Sequence, residues 1–200
     1  MRIVNISTYQ IGMVLKNGAY IRFLTEGRHL LWNGEQVMRY DMAAAFVPPV
    51  ALNILLQDSA LSALLQVVTV KDRWIALQYE DGLLSGILRP GRYAFWKGII
   101  NYNFVHADTG QLEIDSGIED LLPDHVLLAP YVRTTNVANG EKAVLFVDDK
   151  YERILDSGVY HWWKNNTLIQ VVRVDMRKQQ LEINGQEILT KDKAALRINA

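Results

Sequence analysis

The chain has 200 residues, half of them hydrophobic and 22% charged, with a formal net charge of −1 and no cysteine. That is ordinary globular composition, enough for one large domain or a few small ones. It excludes disulfides and cysteine chemistry, and with no basic run or stripe it excludes a nucleic-acid footprint as well.

The opening MRIVNISTYQ lacks the apolar core of a signal peptide. Ile11–Lys16 is apolar and β-prone, and Asn17-Gly18 follows it. Asn-Gly is among the strongest signals for a two-residue hairpin, because both central residues take positive φ. Ala19–Leu24 is the return strand and Thr25-Glu26-Gly27 a second turn. A third strand, GRHLLW, ends at Trp32, and a fourth, Gln36–Tyr40, leads to Asp41. Met42–Leu56 reads MAAAFVPPVALNILL, which is too short and too proline-broken to span a bilayer. It reads as a buried connector, with a dip into a membrane surface as the alternative. Gln57–Gln66 reads as a short helix with Asp58 as its N-cap. Leu61, Leu64 and Leu65 share one face of it.

The same order then returns twice. Trp74–Glu80, Asp81-Gly82 and Leu83–Leu88 form the next hairpin, and Arg89-Pro90-Gly91 suits a type II turn. GRYAFW ends at Trp96, and Tyr102–Ala107 leads to Asp108. A helix is expected near Ile118–Leu128, with Pro123 in its first turn. Lys142–Val147, Asp148-Asp149 and Lys150–Leu155 make the third hairpin, with a weaker turn because aspartate tolerates positive φ less well than glycine. GVYHWW then ends at Trp163, and Leu168–Val174 leads to Asp175.

The spacing is regular. Gly27, Gly91 and Gly158 stand 64 and then 67 apart, as do Trp32, Trp96 and Trp163. Asp41, Asp108 and Asp175 stand 67 and 67 apart, and Ile6, Val70 and Val137 align upstream at 64 and 67. A motif used three times is a building unit, and recurrence at such a period points to a repeat architecture. The expected fold is mainly β, a β-rich α+β chain of three tandem antiparallel β-meander repeats of about 67 residues, joined by short helical connectors. The expected divisions are 1–66, 67–133 and 134–200.

The third copy resembles a known family. KAVLFVDDKYERILDSGVYHWW and VVRVDMRKQQLEINGQEILTKDKAAL, within Lys142–Leu196, look like the opening of the band 7 or SPFH domain of stomatin- and prohibitin-like proteins. Bacterial slipins are the nearest subtype. The matching elements are the hairpin, the Gly-x-aromatic strand, Val174–Arg177, Leu181–Ile183 and Gln186–Asp192. The first two copies resemble the extended N-terminal region of some slipins. The resemblance implies a domain that continues for roughly another hundred residues and then a coiled coil. The sequence stops at Ala200 in the middle of what reads as a strand, so the chain is expected to be a piece of a longer protein. The resemblance further implies self-association of the full-length protein, a membrane protease or lipid as partner, and a place on the cytoplasmic side of a membrane. The apolar anchor usual in stomatins has no counterpart here, so this piece is expected to be soluble.

No catalytic chemistry is expected. His29, His106, His125 and His161 have no metal-ligand spacing. The serines lack a Gly-x-Ser-x-Gly frame, and Gly82, Gly86 and Gly91 have the wrong spacing for a phosphate loop. The residues singled out are structural: Gly27, Gly91 and Gly158 as turns, Trp32, Trp96 and Trp163 as wedges against a neighbouring copy, and Asp41, Asp108 and Asp175 as acceptors where a strand ends. No cofactor is expected. The function read from this is a non-enzymatic scaffold. The alternative is a binding module with an aromatic groove around Trp32, Trp96, Trp162 and Trp163 for a peptide or small apolar ligand.

Overall fold

The computed structural model describes residues 1–120, 126–177, 186–189 and 195–198. The expected elements at Leu181–Ile183 and at 190–192, and the position of Pro123, lie outside the described residues.

The first segment contributes β1 (Arg2–Ile6), β2 (Gln10–Lys16), β3 (Ala19–Leu24), β4 (Gly27–Leu31) and β5 (Glu35–Asp41). Two short helices follow, α1 (Leu52–Leu55) and α2 (Ser59–Ala63). The second contributes β6 (Leu65–Val70), β7 (Trp74–Glu80), β8 (Leu83–Leu88), β9 (Gly91–Trp96), β10 (Tyr102–Asp108) and α3 (Ser116–Glu119). The third contributes β11 (Val132–Val137), β12 (Glu141–Val147), β13 (Lys150–Leu155), β14 (Gly158–Trp163) and β15 (Ile169–Asp175), and β16 (Gln186–Leu189) then pairs antiparallel with β17 (Ala195–Ile198).

The chain is mainly β, and its assigned ladders are antiparallel. Its local order is not that of a meander. β4 does not lie beside the return strand β3. It pairs with β1, the strand ahead of the hairpin, while β5 pairs back onto β2 in a three-stranded sheet ordered β3-β2-β5. The same pattern recurs as β6-β9 with β8-β7-β10, and as β11-β14 with β13-β12-β15. The meander reading fails because it counted each segment's opening strand as an upstream alignment only. With β1, β6 and β11 present, the third strand has a better partner than its sequence neighbour.

Hairpin chemistry follows the residues. Asn17 and Gly18 have φ of 53° and 79°, and Asp81 and Gly82 have 49° and 88°. Asp148 and Asp149 take 50° and 61° with no glycine to ease them. A register shift falls at Val14/Leu15, Gln78/Tyr79 and Leu145/Phe146, the corresponding place in each hairpin. Such bulges deepen local twist and bend the strand. The Pro90-Gly91 turn departs from expectation. Gly91 has φ of 157°, far from the value of about +80° that a type II turn requires.

The connectors are shorter than expected. Asp58 does cap α2, accepting from the Ala60 and Leu61 backbone N–H groups, but the helix ends at Ala63 and Leu65 already belongs to β6. The connector at 42–56 buries Phe46 and Leu55 in the core and leaves Val47 and Ile54 exposed. Among the described residues no helix is long and apolar enough to cross a membrane.

Contacts divide the chain into two compact units: Met1–Arg133 with Trp162–Asn165, and Thr134–His161 with Asn166–Ala200. Within the first unit, the inner face of each three-stranded sheet packs on its own strand pair. Val4, Ile6, Val14, Leu24 and Leu31 form one such core, and Val68, Val70, Ala76, Phe95 and Tyr102 another.

Candidate functional site

The Gly-x-aromatic stretch has a local cause. The Tyr93 hydroxyl donates to the Arg89 carbonyl at 3.0 Å, and the Tyr160 hydroxyl donates to the Asp156 carbonyl at 3.0 Å. His29 Nε2 lies 2.7 Å from the Thr25 carbonyl. In each copy a ring two residues after the glycine folds back over it to a carbonyl two residues before it. A Cβ on Gly91 would stand 3.3 Å from the Tyr93 ring. At Gly91 the glycine is therefore clearance for an aromatic clasp, whereas at Gly27 and Gly158 a Cβ would stand 3.8 and 3.7 Å from the ring, in ordinary contact. The sequence carries this signal, since aromatic or histidine stands at +2 three times, but the turn reading of the glycine obscured it.

The tryptophans at the end of these strands separate into two groups. Trp96 is 1% exposed and Trp163 is 1% exposed, whereas Trp32 is 60% exposed. Trp96 sits in a core with Ile11 and Met13 of β2, Phe46, Leu55 and Leu61 of the connector, and Leu65 and Ala94 of its own strand pair. Its ring lies 4.6 Å from that of Phe46 and 6.2 Å from that of Tyr40. Trp163 sits in a core with Ile75, Leu77 and Ala107 of the second sheet, Ile114, Ile118 and Leu128 of the second connector, and Val132. Five members correspond at the repeat spacing: Ile11 with Ile75, Met13 with Leu77, Leu61 with Leu128, Leu65 with Val132 and Trp96 with Trp163. Each of these two indoles thus closes the outer face of the sheet that precedes it. The Trp96 Nε1 is buried without a hydrogen-bond partner, so packing has to offset the cost of that donor.

A lysine fastens each joint. Lys97 N–H donates to the Leu64 carbonyl and its ammonium to the Ala63 carbonyl, at 2.9 and 3.3 Å. Lys164 does the same to the Tyr131 and Ala129 carbonyls, at 2.8 and 3.3 Å. Asn33 follows Trp32 instead. Trp-Lys against Trp-Asn was a legible difference that spacing alone passed over. Trp162, inside the unit that holds the second joint, is also 1% exposed.

The three aspartates make one contact three times. Asp41 Oδ1 accepts from Ala43 N–H at 2.8 Å, Asp108 Oδ1 from Gly110 N–H at 2.8 Å, and Asp175 Oδ1 from Arg177 N–H at 2.9 Å. These are turns of the Asx type, in which a carboxylate takes a donor two residues on. The Arg177 guanidinium and then its backbone N–H hold the Asp175 carboxyl below its usual range. Each aspartate serves its own turn.

Two further polar contacts tie elements together. The Tyr20 hydroxyl donates to Asp58 Oδ2 at 2.8 Å, joining the first hairpin to the cap of α2. Burial, then that hydrogen bond, raises the Tyr20 pKa well above the ordinary phenol value. Arg22 donates to both Glu35 oxygens, at 2.5 and 3.0 Å, and Glu35 also accepts from Trp32 N–H at 2.8 Å. The Arg22 hydrogen bond, then that from Trp32, lowers the Glu35 pKa.

Among the described residues no group of three His, Cys, Asp or Glu side chains could hold a metal ion. A groove of about 270 Å³ is lined by Phe46, Leu52, Arg92, Tyr93 and Phe95, among others. It is smaller than the roughly 300–1,000 Å³ of ordinary ligand sites.

The outer faces of the first and second sheets are each closed by an aromatic strand from further along the chain. Residues 135–200, the last third of the chain, match the SPFH domain / Band 7 family. No curated protein and no solved structure matches the chain.

Proposed function

We propose that the chain is a non-enzymatic assembly region of a membrane-associated, slipin-like protein, acting through protein–protein packing and homo-oligomerisation. The burial of Trp96 and Trp163 in like positions carries this reading, because it assigns the aromatic strands to joining sheets, not to holding a substrate. The three segments 1–66, 67–133 and 134–200 are then copies of one packing element, in which each segment covers its predecessor. The recurring glycines Gly27, Gly91 and Gly158 belong to its clasp and the aspartates Asp41, Asp108 and Asp175 to its turn, with Trp96 and Trp163 as wedges and Trp32 exposed. The Band 7 match supports the membrane association. A membrane protease or lipid is the proposed partner of the full-length protein on the cytoplasmic side.

The test compares this chain with the intact protein on liposomes and by light scattering. The intact protein is expected to pellet with vesicles and to scatter as a large species. An intact protein that stays free of vesicles and single-copy overturns the reading.

The exposed indole of Trp32 and the groove beside Tyr93 and Phe95 favour a second reading, an aromatic binding module. Acrylamide quenching separates the two. Packing predicts one readily quenched class of tryptophan that contains Trp32, with Trp96, Trp162 and Trp163 protected. A small apolar ligand that shields the exposed class supports the second reading.

A further inference from the structure

The groove beside Phe46 and Phe95 lies along a strand edge. Four successive residues of β9, Arg92–Phe95, line it. A strand shows alternate residues on a face and successive ones along an edge. One edge of β9 is taken by β6, and Lys97 N–H points that way, to the Leu64 carbonyl. By the alternation of an antiparallel ladder, the N–H groups of Trp96 and Ala94 and the Ala94 carbonyl point out of the other edge. Among the described residues no backbone group bonds to that edge.

The chain fills the corresponding edge of β14. There Glu113 forms an antiparallel bridge with Trp162, and Trp163 N–H donates to the Leu112 carbonyl at 3.3 Å. Leu112, Glu113, Trp162 and Trp163 stand 67 residues after Ala45, Phe46, Phe95 and Trp96. The first connector does not repeat the contact, because it is turned by one residue. Phe46 packs in the core and Val47 is 71% exposed, whereas Ile114, the counterpart of Val47, is 7% exposed. Pro48-Pro49 follow at once and have no N–H to give to a strand.

We infer that the free edge of β9 is a strand-addition site: it takes an extended peptide segment, antiparallel, with an apolar residue opposite Ala94 and an acidic residue opposite Arg92. Main-chain hydrogen bonds give such a contact its affinity and alternate side chains its specificity. The register is that of Glu113 on Trp162, moved to Phe95. The apolar residue takes the place of Ile114. The acidic one follows from charge. Arg92 is the only charged residue lining the groove, it donates to the Asn53 side chain, and among the described residues no carboxylate pairs with it. At about 270 Å³ the groove is small for a whole ligand and suits one side chain of a strand. This rests on the binding reading of that groove and names its occupant.

The test uses the whole chain and a labelled peptide, GQLEIDE, in fluorescence anisotropy. The peptide is residues 110–115 followed by a glutamate at the place opposite Arg92. Saturable binding is expected. N-methylation of the isoleucine amide, which faces Ala94, is expected to weaken it at least about 10-fold, and N-methylation of the central glutamate amide, which faces away, less than about 3-fold. Wild type is expected to prefer GQLEIDE to GQLEIDK, and Arg92→Glu to reverse that preference. Arg92 is exposed, so the change opens no core, and circular dichroism checks the fold. The methylated peptides test the wild-type chain and need no variant. Equal binding of the two methylated peptides, or of the two charge forms by wild type, overturns the site. So do wild-type dimers that Arg92→Glu removes with no peptide bound, which make a second copy the occupant. Peptide that stays free at about 1 mM chain overturns it as well. Toluene separates that failure from failure of the binding reading: shifts at Ala94 and Phe95 in nuclear magnetic resonance leave the binding reading standing, and their absence removes both.

Discussion

Trp32 and Trp96 end equivalent strands 64 residues apart, yet one is 60% exposed and the other 1%. The strand pairs are alike: β1 pairs with β4 as β6 pairs with β9. What differs is the surface opposite. Trp96 has the outer face of β2, with Ile11 and Met13, to close. Likeness of local sequence and of local fold therefore leaves the energetic role of the residue open.

That difference sets the first prediction. Trp96→Ala removes a buried indole from a filled core and should cost about 3–5 kcal/mol. Trp32→Ala, measured in dilute solution, should stay within about 0.5 kcal/mol of wild type, as surface changes do. Denaturant unfolding followed by circular dichroism checks both, and equal losses would remove the distinction.

Tyr20 gives a second. Its phenol is raised in pKa by burial first and then by Asp58. The folded value lies above the unfolded value near 10, so the associated stability is complete below about pH 10 and is lost as pH rises beyond it. Burial raises Tyr40 and Tyr102 as well, so ultraviolet titration should show several tyrosines that resist ionisation past pH 10, and Tyr20→Phe should remove one of them. The same variant should lose about 0.5–1.5 kcal/mol for the hydrogen bond to the helix cap.

Glu35 acts at the other end of the pH scale. Its carboxyl is held low by Arg22 and then by the Trp32 N–H. A depressed folded pKa contributes stability that is present above the ordinary glutamate range and lost as pH falls through the folded value. Glu35→Gln should therefore flatten the acid limb of the stability profile and move its start to lower pH. An acid limb identical to wild type would show that the pair contributes nothing there.

The aromatic clasp predicts an asymmetry between two glycines of one motif. Gly91→Ala places a Cβ 3.3 Å from the Tyr93 ring at a backbone φ of 157°, and should cost about 1–3 kcal/mol. At Gly158 the nearest atom of Tyr160 would lie 3.7 Å away, ordinary contact. Gly158→Ala should stay within about 0.5 kcal/mol of wild type. Paired melts of the two variants decide this.

Much of the chain was legible because its signals are short-range. Asn17-Gly18 and Asp81-Gly82 specify hairpin turns by the positive φ that they tolerate, and both are found. Asp58 is a cap because its carboxylate reaches N–H groups two and three residues on. The pairing of β4 with β1 was not legible. It joins Arg2 to Leu31 across a whole hairpin, and nothing in the alternation of β4 says which neighbour its edge will meet. The type II turn at Pro90-Gly91 failed for a related reason: the Tyr93 clasp draws the backbone straight where the dipeptide alone would bend it.

The sequence by itself determined the hairpins, their spacing, the mainly β character and the Band 7 likeness of the last third. Each depends on forces that act within a few residues, or on a pattern that repeats along the chain. Only the tertiary structure decided which strands share a sheet, and which of three matching tryptophans is core and which is surface. Burial is a property of two surfaces meeting, and a single strand carries only one of them.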